Sequence, residues 1–160
     1  MKLIVSALPA LAIVALSAGT AAAQQTTQDV AFEVQAINKI AFTGSPSLVI
    51  STANAGSAPT SATANATYAI TTNESDRKIT AEIDSDLPTG VALSVSLAAP
   101  SGASSAGAVQ LGTTAQDVVT GISTANASGL GVTYSLTATA AAGVVAADSR
   151  TVTYTIIAGS

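Results

Sequence analysis

The sequence predicts an all-β fold, an Ig-like β-sandwich of about eight or nine short strands behind a cleaved signal peptide. Three observations predict it. Apolar and polar residues alternate over short runs, whereas helical periodicity is poor. Turn-forming clusters separate those runs. The 160 residues, less a 23-residue leader, leave 137, enough for one domain with a single packed core.

The leader is read as Met1–Ala23. Lys2 supplies a minimal positive start, Leu3–Leu16 an apolar stretch interrupted by Pro9, and Ala21-Ala22-Ala23 an A-x-A cleavage site before Gln24. The apolar run is shorter than a membrane span needs and no basic stop follows it, so export is favoured over an anchor. No Cys follows, which excludes a lipoprotein. The mature chain is expected as one sandwich over residues 24–160, secreted or on a bacterial cell surface.

The first strand is expected at Asp29–Ile37, with Val30, Phe32, Val34 and Ala36 on one face and Ala31, Glu33 and Gln35 on the other. Ser47–Ser51 reads as a short apolar strand. Ala66–Thr72 places Tyr68 and Ile70 together. Arg77–Asp84 turns Ile79, Ala81 and Ile83 inward. Val91–Leu97 alternates most clearly, and Val109–Leu111 and Val118–Ile122 more weakly. Val132–Ala138 and Val152–Ile156 alternate again, each around a central Tyr. Turns are expected at Asn73–Asp76, at Pro88-Thr89-Gly90 and at Gly129-Leu130-Gly131, with loose loops at 53–64 and 100–107. Ala140–Ala147 reads as a hairpin connection. Ser-Thr-Ala-Asn-Ala occurs at Ser51–Ala55 and at Ser123–Ala127, but its flanks do not align, and biased composition accounts for it.

Composition excludes much chemistry. There is no Cys, His or Trp, hence no disulfide, Cys/His zinc site, imidazole acid–base or Ser-His-Asp triad. Three Tyr and two Phe leave little for an aromatic sugar platform. Without Lys2, four cations face nine acids, a net charge of −5 with no footprint for nucleic acid. Charged residues make up 9% of the chain, so the surface is neutral and rich in hydroxyls. Asp84-Ser85-Asp86, with Glu74 and Asp76 nearby in sequence, is the one acidic cluster. It reads as a calcium ligand set or as a solvated hairpin end, without the full six to eight oxygens calcium needs. No metal, cofactor or catalytic residue is assigned, and the expectation is a non-enzymatic protein. Asn65, Asn73 and Asn126 fit glycosylation sequons and are taken as surface-loop markers.

The terminal strand carries the functional reading. A strand at a mature terminus either packs in its own domain or leaves it to complete a neighbour's sheet, the β-augmentation mode. The candidate assembly strand lies within residues 24–38, on Val30, Phe32, Val34 and Ala36.

The run Gln28-Asp29-Val30-Ala31-Phe32-Glu33-Val34-Gln35-Ala36-Ile37 resembles the donor strand of fimbrial major subunits of the alternate chaperone–usher class. Leu111-Gly112-Thr113-Thr114-Ala115 resembles their mid-domain segment. Tyr134–Ala140 and Arg150–Ile157 resemble their final hairpin. The chain is also similar to small exported bacterial proteins with an Ala/Thr-rich sandwich. The fimbrial resemblance implies an Ig-like fold polymerised by donor-strand exchange, with self-association into filaments and a secretion chaperone as partners. The Cys pair and core Trp of antibody domains are missing, so "Ig-like" refers to architecture. Alternatives are a monomeric cell-surface or periplasmic binding or adhesion module, and a cell-envelope protein of another role.

Overall fold

The computed structural model describes residues 22–159. The chain divides into two units, Met1–Glu33 and Val34–Ser160. In the first, residues 22–33 are exposed and form no strand. The expected signal peptide lies outside the described residues, apart from Ala22 and Ala23. No described helix is long and apolar enough to cross a membrane.

The second unit is a β-sandwich. Its strands are β1 (Asn38–Thr43), β2 (Ala62–Thr72), β3 (Arg77–Ile83), β4 (Val91–Leu97), β5 (Ser104–Ser105), β6 (Val109–Gln110), β7 (Gln116–Ile122), β8 (Ala125–Ala138) and β9 (Val152–Ala158). One sheet runs β1-β2-β8-β4-β6 and the other β5-β7-β3-β9, with every neighbouring pair antiparallel.

Alternation places one face of each strand in the core. Tyr68 and Ile70 of β2, Leu93, Val95 and Leu97 of β4, and Val132 and Tyr134 of β8 face Ile79, Ala81 and Ile83 of β3 and Val118 and Ile122 of β7. Each large side chain so buried contributes roughly 1.5–3 kcal/mol. The Tyr68 hydroxyl donates to Ala98 O at 2.6 Å, which satisfies its polar end. Val119 is buried beside Val118 because the β3–β7 register shifts on both sides of Ile79.

Several expectations need correction. Asp29–Ile37 is not a strand, and the first ladder begins at Asn38. Its alternation suits a half-buried strand, but Asn38–Thr43 already occupies the free side of β2. Ser47–Ser51 joins no ladder, with Leu48 half-buried and Val49 exposed. Gly129 and Gly131 lie inside β8. Tyr68 pairs with Leu130 and Ile70 with Ala127, so β8 carries an extra residue there, and Gly129 at φ 67 adopts the bulge. The expected final hairpin is a crossover, because β2 and β4 fill both edges of β8 and β9 pairs with β3. The connection contains a short 3₁₀ turn at Ala140–Ala142. The loop at 100–107 contains β5, too short to show periodicity. The two Ser-Thr-Ala-Asn-Ala words fall in different settings, a loop at 51–55 and the entry to β8 at 123–127.

Candidate functional site

The two sides of the sandwich differ. On one, β5 and β6 are edge strands of two residues each, joined by a short connection. On the other, β1 and β9 are longer edges lying across from each other. Phe42 of β1 stacks on Tyr154 of β9 with ring centroids 4.0 Å apart, and on Tyr68 at 5.5 Å. The Tyr134 and Tyr154 hydroxyls, from opposite sheets, hydrogen-bond at 2.8 Å. Burial pushes the Tyr154 phenol up, and the bond with Tyr134 acts in the same direction. Every aromatic of the sandwich thus belongs to one cluster on this side.

The side opens into a groove beyond that cluster. β1 pairs with β2 only from Thr67 to Thr72, so the first residues of β2 have no partner on that edge. The chain leaves the ladder at Gly44, whose φ of 117 suits glycine and where an added Cβ would lie 3.3 Å from Ala66 Cβ. Residues 46–53 then form one wall. Leu93, Tyr134, Leu136 and Val152 contribute apolar surface, and residues 142–150 close the far rim. The groove holds about 1170 Å³, above the roughly 300–1,000 Å³ of a small-molecule pocket.

The rim is braced by polar contacts. Arg150 donates from Nε to Ser85 O and Asp86 O, from Nη2 to Asp86 O at 2.9 Å, and from Nη1 to Asp148 Oδ2 at 2.6 Å. The Asp148 carboxyl is held below its ordinary range, first by that hydrogen bond and then by the Ser149 N–H. Thr151 N–H donates to Asp84 Oδ1 at 3.1 Å. The Asp84–Asp86 turn is therefore tied to the β8–β9 crossover by a guanidinium and a backbone N–H.

A second polar cluster sits at the opposite pole, where β2 ends. Thr72 Oγ1 donates to Asn38 Oδ1 at 2.8 Å, and Asn38 Nδ2 donates to Glu74, which is also paired with Arg77. The Asn38 hydrogen bond leads in holding the Glu74 carboxyl below its ordinary range, and Arg77 adds to it. Asn73 holds the backbone of residues 35–37 with its amide, donating to Gln35 O at 2.8 Å and accepting from Ile37 N–H at 2.7 Å.

The predicted assembly residues are exposed, Val30 at 75%, Phe32 at 92% and Val34 at 79%, with Ala36 exposed as well. Neither Val34 nor Ala36, which belong to the same unit as the groove, lines it. The expected acidic cluster is not one site. Glu74 and Asp76 precede β3 and Asp84 and Asp86 follow it, separated by a strand of roughly 20 Å. Among the described residues no three His, Cys, Asp or Glu side chains converge. Of the sequon residues, Asn65 lies on β2 and Asn126 on β8, not in loops, and Asn73 is engaged in the hydrogen bonds above. Sequence reasoning missed the groove, the Arg150 brace and the Asn73 contacts. No family model, no curated protein and no solved structure matches the chain.

Proposed function

We propose that the chain is a non-enzymatic structural subunit of an extracellular filament, polymerising by insertion of its N-terminal segment into the groove of the next copy. One observation carries this reading. The sandwich opens into a groove above β1, next to Val152 at the start of the β9 edge, while Val30, Phe32 and Val34 stand exposed at alternate positions. An apolar groove beside an unpaired edge and an apolar segment without a sheet are the two halves of β-augmentation. The donor ends at Val34 rather than residue 38, because the backbone of residues 35–37 is hydrogen-bonded to Asn73 and Asn38 belongs to β1. Inserted, its backbone would pair with the free edge of β9 and its apolar side chains would fill the groove. Burial of Val30, Phe32 and Val34 would contribute several kcal/mol, at roughly 1.5–3 kcal/mol each. An unfilled groove of this size would need cover before assembly, which gives a secretion chaperone its role. Export and a surface location belong to the same proposal.

The test is size-exclusion chromatography and negative-stain microscopy of the chain from Gln24. Ladders or fibres are expected, together with saturable binding of a peptide of residues 24–37 to chains whose own donor is disabled. A chain that stays monomeric at high concentration and ignores the peptide would leave the groove to some other ligand, as in a monomeric binding module.

A further inference from the structure

We propose that Asn73 is a positioning residue that holds the backbone of residues 35–37 on a heading away from the chain's own groove, so that the N-terminal segment fills the groove of a second copy. The inference rests on the assembly reading above and adds what decides between self-insertion and polymerisation.

It starts from the β1–β2 ladder. Thr72, the last residue of β2, pairs with Asn38, the first of β1. One residue further, the Asn73 backbone N–H donates to Ile37 O at 3.2 Å. Its side chain then substitutes for the missing continuation of β2, accepting from Ile37 N–H at 2.7 Å and donating to Gln35 O at 2.8 Å. Three hydrogen bonds from one residue therefore carry the line of β1 backward past the end of the sheet. An asparagine suits this task, because its short arm offers both an acceptor and donors. Aspartate would lose the amide donor to Gln35 O, and serine could not reach both groups.

Direction gives the contacts their meaning. β1 runs from the Asn73 pole toward the groove, since Thr43 pairs with Thr67 and the groove lies beyond that pair. Its backward continuation through residues 35–37 therefore points away from the groove. The stretch 24–34 could reach roughly 36 Å when extended, against a sandwich edge of roughly 20 Å. It is long enough to double back and fill the chain's own groove if residues 35–37 were free to reverse. Such self-insertion would end growth, whereas exit and groove at opposite poles make a head-to-tail contact that repeats without closing. The surrounding bonds of Asn38, Thr72, Glu74 and Arg77 keep the pole in place while the Asn73 amide sets the heading.

The experiment compares the wild-type chain from Gln24 with Asn73→Ala and Asn73→Asp. Light scattering after size exclusion measures the monomer-to-oligomer ratio. A labelled peptide of residues 24–37 reports whether each monomer's groove is free. Asn73→Ala is expected to raise the ratio about tenfold, the factor that two side-chain hydrogen bonds supply. Its monomers should refuse the peptide, being self-filled. Asn73→Asp, which keeps the pole folded and one of the two bonds, should fall between. In full-length Phe32→Asp, which cannot donate, adding Asn73→Ala should leave peptide affinity unchanged. An assembly-competent wild type with an unchanged Asn73→Ala would overturn the inference alone. So would Asn73→Ala monomers that take up peptide freely, or a loss of peptide affinity in the Phe32→Asp background. A wild type that neither oligomerises nor leaves the peptide anywhere to bind would overturn the assembly reading and this inference with it.

Discussion

Phe32→Asp separates assembly from folding, because Phe32 is 92% exposed and absent from the core. Substitution at such a position leaves folding stability within about 0.5 kcal/mol. The melting temperature of the variant should therefore match that of a wild-type monomer. Assembly should respond far more strongly. A docked Phe32 would give up roughly 1.5–3 kcal/mol of apolar burial on substitution. The aspartate would also have to enter a groove walled by Leu93, Leu136 and Val152, where an unpaired polar group costs a further several kcal/mol. Even about 4 kcal/mol in total is close to a thousandfold in the contact. The milder Phe32→Ala should weaken assembly less, by the lost burial alone. Size-exclusion chromatography should show ladders for wild type, shorter ones for Phe32→Ala and monomer for Phe32→Asp. The Phe32→Asp monomer should still bind the peptide of residues 24–37, since its groove is intact. If Phe32→Asp lowers the melting temperature by many degrees, Phe32 packs in its own domain and the reasoning fails. If it forms the same ladders as wild type, the contact lies elsewhere.

Three further outcomes are expected. Gly90→Ala should cost about 1–3 kcal/mol, because Gly90 sits at φ 82 in the Pro88–Val91 turn and a Cβ there would lie 2.6 Å from Thr139 Oγ1 and 3.1 Å from Ala142 N. Thermal unfolding should show it as a drop of several degrees. Burial pushes the Tyr68 phenol up from 10.0 to about 12, so the folded state holds that proton where the unfolded chain releases it. Its contribution is complete below the unfolded value and is lost as pH rises through the folded one. Tyr154 acts in the same direction, so the melting temperature should fall as pH rises past 10.0 while the tyrosinate absorbance band grows. Arg150→Lys should loosen the groove rim by about 1 kcal/mol, since an ammonium cannot fork across Ser85 O, Asp86 O and Asp148. The Asp148 carboxyl should then titrate closer to its ordinary range in an NMR pH series.

The sandwich was legible because alternation is a local signal. Val91–Leu97 was read to the residue, and Arg77–Ile83 to within one, since each packs one face on the core. β8 was read short because Gly129 and the bulge beside it break the alternation between Ala125 and Val132. The Asp29–Ile37 error has the opposite cause. Its side-chain pattern is that of a strand, but pattern says nothing about which edge is free. The groove was invisible for the same reason. It depends on β1 stopping at Thr43 while β2 begins at Ala62, a mismatch of lengths that appears only when the two are paired. The Asn73 contacts span 36 and 38 residues, beyond any local reading.

The treatment of the sheet edges bears on where pairing is wanted. An unpaired edge is a template for another strand, and soluble proteins blunt such edges by shortening them or by placing lysine or proline on them. On the closed side, β5 and β6 are two residues each and offer almost no ladder. On the open side, β1 carries Lys39. β9 has neither device. Its seven residues, Val-Thr-Tyr-Thr-Ile-Ile-Ala, contain no charge and no proline, and high β-propensity runs from Val152 to Ile157. The large apolar side chains left exposed follow the same geography. Val30, Phe32, Val34 and Ile37 lie before β1, Val49, Val144 and Val145 border the groove, and Ile157 is on β9 itself. The outer face of the larger sheet carries Thr63, Asn65, Thr67, Ser94, Ser96, Thr133 and Ser135 instead. A chain that protects its other edges, keeps that face hydroxylated and leaves β9 bare has the edge pattern that the proposed donor-strand assembly requires.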